Sequence, residues 1–348
     1  MFSIVLLLPL VAIIFILSIS QFDYVASQNM TRASTWLSSG YNYNYNNTIS
    51  TRGHFDPTTG ELISEHNQTD YLYDNGTSEK TSGSLQNEIM CPSQKEIAIY
   101  IHGVWTDEPS ANEQVNRLSM SLEANDNIIP LIGFSWDSNT SFGKEGWKNA
   151  KAIAEKNGPK LAKFILDFKS KCEDSDIRLI AHSLGAAVVN STLISLSNNQ
   201  ELNATNDFNL TSVHLLGAAI DRSEIAANAT FGRAIESVVD NFYNLRNPED
   251  NMLEYIYRNV ENKDALGLLG IQHSQPIPRD YVERQVDSEI PPIQDADGNS
   301  RLDCFDYFVL LPGDNHCGYI GFRGLPPFEN MLRSDGSMDV VVQDWEEG

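Results

Sequence analysis

The sequence has few basic residues and no closely spaced cysteines, and both shortages narrow the range of functions. Lysine and arginine total 24 against 47 aspartates and glutamates, which gives a formal net charge of −23. A chain this acidic repels phosphate backbones and anionic membrane surfaces, so we expect no nucleic-acid partner. The cysteines lack CxxC spacing, which argues against a zinc site. Their even number, four, permits two disulfides in an oxidising compartment, with the pairing undetermined.

The N-terminus has no charged side chains over its first twenty residues. The run MFSIVLLLPLVAIIFILSIS predicts a signal peptide within residues 1–27, although the usual basic residues before the apolar run are missing. The run is also close to the shortest length that crosses a bilayer, so a retained membrane anchor through residues 2–20 is the alternative. In both cases we expect the remaining chain to be extracellular, secreted or anchored to the outer face of the cell membrane.

The following region, residues 28–90, has few aliphatic side chains and is rich in Asn, Ser, Thr, Gly and Tyr. Such a composition buries too little apolar surface to offset the entropy of ordering, so we predict a low-complexity stalk or linker. The turn signals PTTG and DNG are compatible with a marginal hairpin in its second half. Exposed N-x-Ser/Thr sequons in this region predict N-glycans, at Asn29, Asn46, Asn67 and Asn75.

From residue 91 onward, apolar strand patterns alternate with helical patterns. Uninterrupted β-branched runs such as EIAIYIHG are typical of strands covered on both faces. The segment GWKNAKAIAEKNGPKLAKFILDF, residues 146–168, has helical spacing, and Gly158-Pro159 predicts that it is divided into two helices. Strands that alternate with helices indicate an α/β domain over 91–348, with a mostly parallel central sheet and helices on both faces.

The segment AHSLG, residues 181–185, ends one of these apolar runs and begins a helical one. It matches the pattern G-x-S-x-G with Ala181 in place of the first glycine. A strand that turns sharply into a helix brings the positions two before and two after the serine together, so both must be small. The serine at the apex, Ser183, then has its hydroxyl exposed above the sheet, close to a helix N-terminus that favours negative charge.

On these residues the sequence resembles the α/β-hydrolase superfamily, in its serine esterase and lipase branch, over roughly residues 95–325. The resemblance implies a catalytic triad in the chain order serine, acid, histidine. It assigns the base to His316, which follows the last apolar run, rather than to His273 or to His214 inside a strand. It assigns the acid to Asp250 in NFYNLRNPED, with Asp221 as the alternative.

The resemblance also implies two backbone amides that bind an oxyanion. One is the amide of Leu184, and the other is that of Val104 in the segment HGV, where His102 orients the loop. Together these residues predict an extracellular serine hydrolase that cleaves carboxylic esters, with a small or lipid-like substrate. A noncatalytic binding or adhesion module with the same fold, and an amidase or peptidase with the same triad, are the alternatives.

The resemblance implies no required cofactor, but an acidic segment suggests calcium. Carboxylate and amide oxygens in DADGNSRLDCFD follow the spacing of an EF-hand-type loop, with one backbone carbonyl. Because Ser300 and Asp306 depart from the usual glycine and glutamate, a metal-free acidic turn is the alternative. The candidate Ca²⁺ ligands are Asp295, Asp297, Asn299, Arg301, Asp303 and Asp306. The chain between acid and base is longer than a helix and a strand need, so residues 262–303 are a candidate cap or lid insertion.

Overall fold

The computed structural model describes residues 47–75, 81–82, 91–199, 209–290, 315–323 and 332–348. The predicted signal peptide or anchor (1–27) and the predicted calcium loop (295–306) lie outside these residues. Within the described part of the chain, no helix combines the length and hydropathy needed to cross a membrane.

Nine described strands form one sheet in the order β3-β2-β1-β5-β4-β6-β7-β8-β9, and β10 and β11 form a separate pair. The strands are β1 (Asn47–Ser50), β2 (Leu72–Asn75), β3 (Thr81–Ser82), β4 (Glu96–Ile101), β5 (Leu131–Ser135), β6 (Asp176–His182), β7 (Leu210–Leu216), β8 (Val239–Arg246), β9 (Tyr281–Gln285), β10 (Phe322–Arg323) and β11 (Leu332–Ser334). The α-helices are α1 (Glu108–Ala124), α2 (Lys144–Lys171), α3 (Gly185–Ser197), α4 (Thr230–Val238), α5 (Arg258–Glu261), α6 (Leu266–Leu269) and α7 (Met338–Glu347). A π-helical segment spans Met252–Tyr257, and a 3-10 turn spans Gly318–Ile320.

The neighbouring strands β1-β5-β4-β6-β7-β8-β9 are all parallel. Helices cover both faces of this sheet, as the alternating pattern predicts. In β4, Ile99 packs into the cluster that includes residues of α2 and α3. Its neighbour Tyr100 packs into the opposite cluster, with residues of α1 and α7. Because successive strand residues point to opposite faces, burial of both explains why the strands read as continuous apolar runs. The predicted fold class is confirmed.

Residues 47–75 belong to this sheet, so the predicted domain boundary at residue 91 lies too far along the chain. Strand β1 pairs in parallel with β5 and antiparallel with β2. Ile49, Phe55 and Tyr71 are almost fully buried. The segment has few apolar residues of its own, and they become core only because the rest of the domain supplies the opposing surface. Local composition does not report such a surface, which is why the stalk prediction failed for these residues.

Helix α2 is one helix of 28 residues and is not divided at Pro159. A proline in a helix leaves the carbonyl four residues earlier without its donor, here that of Glu155. The Ser191 hydroxyl of α3 donates to this carbonyl at 2.6 Å and replaces the missing bond. Gly158 allows the contact, because a Cβ there would lie 2.3 Å from the side chain of Ser191. Packing against α3 therefore stabilises a helix that the sequence alone predicts to break.

The disulfide and the end of the sheet complete the described domain. Cys91, ahead of β4, is bonded to Cys172 at the end of α2, and Cys317 is also disulfide-bonded. Residues 262–290 of the predicted cap form α6 and the sheet strand β9, which pairs in parallel with β8. This part of the cap prediction is wrong, because these residues extend the sheet instead of covering the serine. Residues 291–303 lie outside the described part of the chain.

Candidate active site

Ser183 lies in the turn between β6 and α3, in a backbone conformation that few residues other than glycine adopt. Its φ angle is 55°, within the left-handed region that costs about 1–3 kcal/mol to occupy. Hydrogen bonds hold the turn in place. The Ser183 amide donates to the Leu216 carbonyl at 3.0 Å, and the Ser183 carbonyl accepts from the amides of Ala186 and Ala219. This is the strained strand-to-helix turn that the sequence predicts for a nucleophile.

Two glycines next to the serine turn are required by close backbone approach. A Cβ on Gly185 would lie 2.6 Å from the carbonyl oxygen of Ile101, at the end of β4. A Cβ on Gly103 would lie 2.9 Å from the Cβ of Ser183. Real Cβ atoms do not approach other atoms this closely, so any larger residue would push the loop after β4 away from the serine. The predicted need for small residues around Ser183 therefore has a direct steric cause.

His316 and Asp250 form a buried pair beside this turn. The His316 Nδ1 and Asp250 Oδ2 atoms are 2.7 Å apart, and both side chains are almost inaccessible to solvent. The other carboxylate oxygen of Asp250 accepts the amide of Leu253 at 2.9 Å. The Tyr319 hydroxyl donates to Oδ2 at 3.3 Å, and burial, together with Asp250, raises the pKa of Tyr319 well above its usual value. With its Nδ1 proton donated to Asp250, the imidazole keeps the Nε2 lone pair as a base.

The alternative acid and bases lie elsewhere. Asp221 pairs with Lys263 at 2.6 Å and accepts the amide of Ser223, so its carboxylate is already used. His214 is buried in β7, where its ring stacks on Tyr243. His273 is exposed. The structure therefore brings Ser183, Asp250 and His316 to one edge of the sheet and leaves the alternatives out.

His182 holds the loop that carries His316, through a contact that the sequence did not indicate. Its Nε2–H donates to the backbone carbonyl of His316 at 2.7 Å, and the two rings pack with centroids 4.8 Å apart. Burial, with a smaller effect of His316, lowers the pKa of His182 to about 3, so the ring is neutral at physiological pH. The available signal was a polar residue at the end of an otherwise apolar strand, directly before the serine.

The amides of Val104 and Leu184 flank the serine, as predicted. Leu184 precedes the first residue of α3, and Val104 follows Gly103, which contacts the serine. Within the described residues, neither amide N–H donates a hydrogen bond to the protein. Both residues are buried. Two buried donors without a partner are a site for an oxygen atom that carries negative charge.

His102 supports the loop that contains Val104, in agreement with its predicted structural role. The His102 Nδ1 lies 2.9 Å from the Gly103 carbonyl, and its Nε2 accepts the amide of Trp136 at 3.1 Å. Burial lowers the pKa of His102 well below its usual value, so the ring is neutral.

A pocket connects these groups and contains Ser183, His316 and the loop residues Gly103 and Val104. None of the described residues that line it is Asp, Glu, Lys or Arg. The π-helical segment Met252–Tyr257 contributes several of the lining residues. The sequence analysis did not predict this segment as part of the site, although its residues are mostly apolar. A π-helical turn is uncommon and frequently occurs at functional sites. The lining residues include the largely apolar Trp147, Met252, Leu253, Ile256 and Tyr257, and the polar Thr106 and Gln114.

Among the described residues, one cluster has the composition of a metal site. Ligand atoms of His54, His66 and Asp70 lie within 4.8 Å of one another. However, the buried ammonium of Lys160 lies 3.1 Å from the His54 Nδ1 and forms a salt bridge with Asp70. The cluster therefore already surrounds a positive charge, and its residues fit a lysine better than a metal ion.

The family model that matches this chain agrees with the observed fold. Residues 77–303 match the family model described as "Alpha/beta hydrolase of unknown function (DUF900)". No curated protein matches the chain. Among solved structures, the chain is similar to an α/β serine hydrolase without a lid from Xanthomonas campestris, with 11% identity over 57% of this chain and 74% of that chain and a TM-score of 0.28. A putative hydrolase from Agrobacterium vitis has 14% identity over 56% and 80%, with a TM-score of 0.30.

A predicted CIB-like hydrolase from Thermoplasma acidophilum has 9% identity over 62% of this chain and 82% of that chain, with a TM-score of 0.27. Because the TM-scores of these three structures are low, the assignment to a family rests on the family model, which matches more than half of the chain. The chain belongs to this family of α/β hydrolases.

Proposed function

We propose that the protein is a serine hydrolase that cleaves carboxylic esters through an acyl-enzyme on Ser183. The observation that carries the proposal is the buried His316–Asp250 pair at 2.7 Å, whose histidine lines the same pocket as a serine held at a φ of 55°. A noncatalytic binding module would have no use for this strained turn beside a buried histidine–carboxylate pair.

In the first half of the reaction, His316 Nε2 takes the proton of the Ser183 hydroxyl as Oγ attacks the ester carbonyl. A bond forms between Oγ and the carbonyl carbon, and the carbonyl oxygen becomes an oxyanion. The amides of Val104 and Leu184 donate to this oxygen. The tetrahedral intermediate collapses, the bond to the alcohol oxygen breaks, and His316 gives its proton to the departing alcohol.

Water completes the cycle. His316 takes a proton from the water as it attacks the acyl-enzyme, and the bond between Oγ and the acyl carbon then breaks. The proton returns to Ser183, and the carboxylic acid leaves. Throughout, Asp250 keeps the Nδ1 proton of His316 in place and stabilises the imidazolium that forms in each half-reaction.

The pocket lining favours an uncharged ester with an apolar group. The π-helical wall and Trp147 offer apolar surface, and no charged residue of the described lining could pair with a charged substrate. We therefore expect esters of apolar acids or alcohols to be better substrates than charged ones.

The test is a panel of esters and matched amides with varied acyl chains, run on the wild type and on Ser183→Ala. We expect turnover of apolar esters by the wild type, labelling by a fluorophosphonate probe at Ser183, and loss of both in the variant. Ser110→Ala, at an exposed helix position, is the matched control and should behave as the wild type. Equal turnover by wild type and Ser183→Ala would contradict the proposal, and faster cleavage of amides would favour an amidase.

We also propose that the domain works outside the cytoplasm. The disulfide between Cys91 and Cys172 supports this, because such bonds persist in oxidising compartments. N-terminal sequencing of the protein purified from its native source would reveal whether cleavage near Ser27 occurs. Digestion of the same sample with a glycosidase would show whether sequons such as Asn67 carry glycans. Free thiols at both cysteines in the native protein would contradict the proposed compartment.

A further inference from the structure

Arg52 follows β1 and contacts His102, in the loop that carries the Val104 amide. It lies in the N-terminal segment 47–75, which precedes the residues matched by the family model. The Arg52 Nη2 is 3.1 Å from the Nε2 of His102, and its Nε donates to the Ser135 hydroxyl at 2.8 Å. Arg52 therefore links the N-terminal segment to the support of the active-site loop.

We propose that Arg52 is a positioning residue that, together with the Trp136 amide, fixes the tautomer of His102 and so orients the Val104 amide toward the oxyanion. The proposal rests on the proposed function, since it concerns the oxygen that becomes negative when the serine attacks. It assigns a role in catalysis to a segment whose composition suggests a linker.

The donors around the His102 ring determine its tautomer. A guanidinium and a backbone amide can only donate hydrogen bonds. Both the Arg52 guanidinium and the Trp136 amide point at the His102 Nε2, each at 3.1 Å, so this nitrogen must be an acceptor. The ring proton then lies on Nδ1, which is 2.9 Å from the Gly103 carbonyl and donates to it.

The peptide between Gly103 and Val104 connects the His102 tautomer to the direction of the Val104 N–H. The Gly103 carbonyl and the Val104 N–H belong to the same planar peptide unit, in which a trans bond makes them point in opposite directions. A hydrogen bond that holds the carbonyl oxygen toward His102 therefore sets the direction of the N–H as well. If His102 changed tautomer, Nδ1 would lose its proton, and two acceptors would face each other across this contact.

The position of Arg52 is itself held by the turn that follows it. The Asp137 carboxylate accepts the amides of Gly53 and Phe55, both at 2.9 Å, and so fixes the turn that follows Arg52. Burial lowers the pKa of Arg52 to about 10, while the nearby Asp137 opposes the shift, and the guanidinium stays charged at neutral pH. Burial and then the Arg52 charge both lower the pKa of His102, which prevents a second ring proton from reaching Nε2.

The test compares the wild type with Arg52→Met and Arg52→Lys, using an apolar ester and an alkyl boronate that mimics the tetrahedral intermediate. Removal of a whole oxyanion donor typically costs about 100- to 1000-fold in kcat. Because Arg52 only aims the donor, we expect Arg52→Met to lower kcat about 10- to 100-fold with KM nearly unchanged. Boronate affinity should fall by the same factor as kcat/KM. Arg52→Lys, which keeps the charge but offers one donor group, should recover part of the loss.

Lys156→Met is the matched control, because Lys156 holds the same segment through the Gly60 carbonyl at 2.8 Å without contacting His102. All rates are normalised to active sites counted by complete fluorophosphonate labelling, so that misfolded protein does not lower kcat. We expect the control to match the wild type in kcat and in boronate affinity. An equal loss of kcat in the control would mean that loosening of the segment, rather than the contact with His102, causes the effect.

A normalised kcat for Arg52→Met equal to that of the wild type would overturn the inference, as would a loss confined to KM. These results would leave the proposed function intact. If instead the wild type shows no turnover that depends on Ser183, the proposed function itself fails. If Arg52→Met does not fold, Arg52→Lys and Arg52→Gln decide, with the same expected correlation between kcat/KM and boronate affinity.

Discussion

Among the described residues, two buried histidines lie beside buried aspartates, and His316 of one pair lines the pocket that contains Ser183. His316 and Asp250 are 2.7 Å apart, while His214 Nε2 and Asp344 Oδ2 are 3.6 Å apart. The Asp344 carboxylate is instead bound by Arg284, at 2.6 Å. Within the described residues, Asp250 has no salt bridge to a lysine or arginine. A carboxylate orients a histidine only when no cation competes for it.

The surroundings of the two rings differ as well. His214 stacks on Tyr243 and packs against Trp345, and neither of its ring nitrogens has a hydrogen-bond partner within the described structure. His316 faces the pocket that contains Ser183. The comparison shows that burial beside a carboxylate does not define a catalytic histidine. The candidate base His316 has in addition a carboxylate that no described lysine or arginine binds, and a serine in the same pocket.

The largest expected effect distinguishes the two histidines directly. His316→Ala removes the proposed base and should lower kcat for an apolar ester by about a million-fold, as loss of the base does in serine hydrolases generally. His214→Phe keeps an aromatic ring on Tyr243 and should leave kcat within about 2-fold. Steady-state rates of both variants measure this. Similar losses in both would contradict the different roles assigned to the two histidines.

Substitution of the two aspartates should separate an effect on rate from an effect on stability. Asp250→Asn should lower kcat about 10,000-fold, because the amide no longer fixes the histidine tautomer. Asp344→Asn should leave kcat unchanged, but it should lower the free energy of unfolding by about 2 kcal/mol, since the bond from Arg284 loses its charge. Initial rates and urea unfolding report the two effects separately. A rate loss in Asp344→Asn beyond its loss of folded protein would contradict the assignment.

The smallest effect is a pH dependence of stability from His214. Burial lowers its pKa, although Asp344 opposes the shift, so the unfolded chain binds a proton at a higher pH than the folded protein does. The protein therefore loses stability as pH falls below about 6.5, where the unfolded histidine becomes charged. His214→Phe should reduce this loss, by up to about 2 kcal/mol at pH 5.

Urea unfolding of the wild type and His214→Phe at pH 7 and pH 5 measures this difference. The buried His182 and His54 remain in both proteins and contribute a common slope, because their pKa values are also lowered, to about 3 and about 4. Parallel stability losses in the two proteins would show that His214 does not contribute.

Much of the site was predictable because its determinants are local or follow chain order. AHSLG reports a cramped turn through residue size, and the order serine, acid, histidine leaves few candidates for the other positions. The structure brings Ser183, Asp250 and His316 together, as predicted. Asp221 was a reasonable alternative from its place after a strand, but it pairs with Lys263 while His316 pairs with Asp250.

Long-range contacts explain what the sequence analysis missed. Residues 47–75 read as a linker, since their apolar residues are too few to form a core without the α2 surface and β5. Pro159 reads as a helix break, but a serine on another helix replaces the lost donor. The wall after Asp250 and the contact of His182 with the His316 carbonyl depend on how distant segments pack.

By itself, the sequence determined the parallel sheet with its helices and the strained serine turn, because hydrophobic periodicity and side-chain size act over a few residues. It also limited the acid and the base to a short set of candidates by chain order. Only the tertiary structure decided which carboxylate is free to orient a histidine, and it alone placed Arg52 against the active-site loop. Those outcomes depend on which charges and hydrogen-bond donors compete at each buried position, and competitors far apart in the chain leave no local pattern.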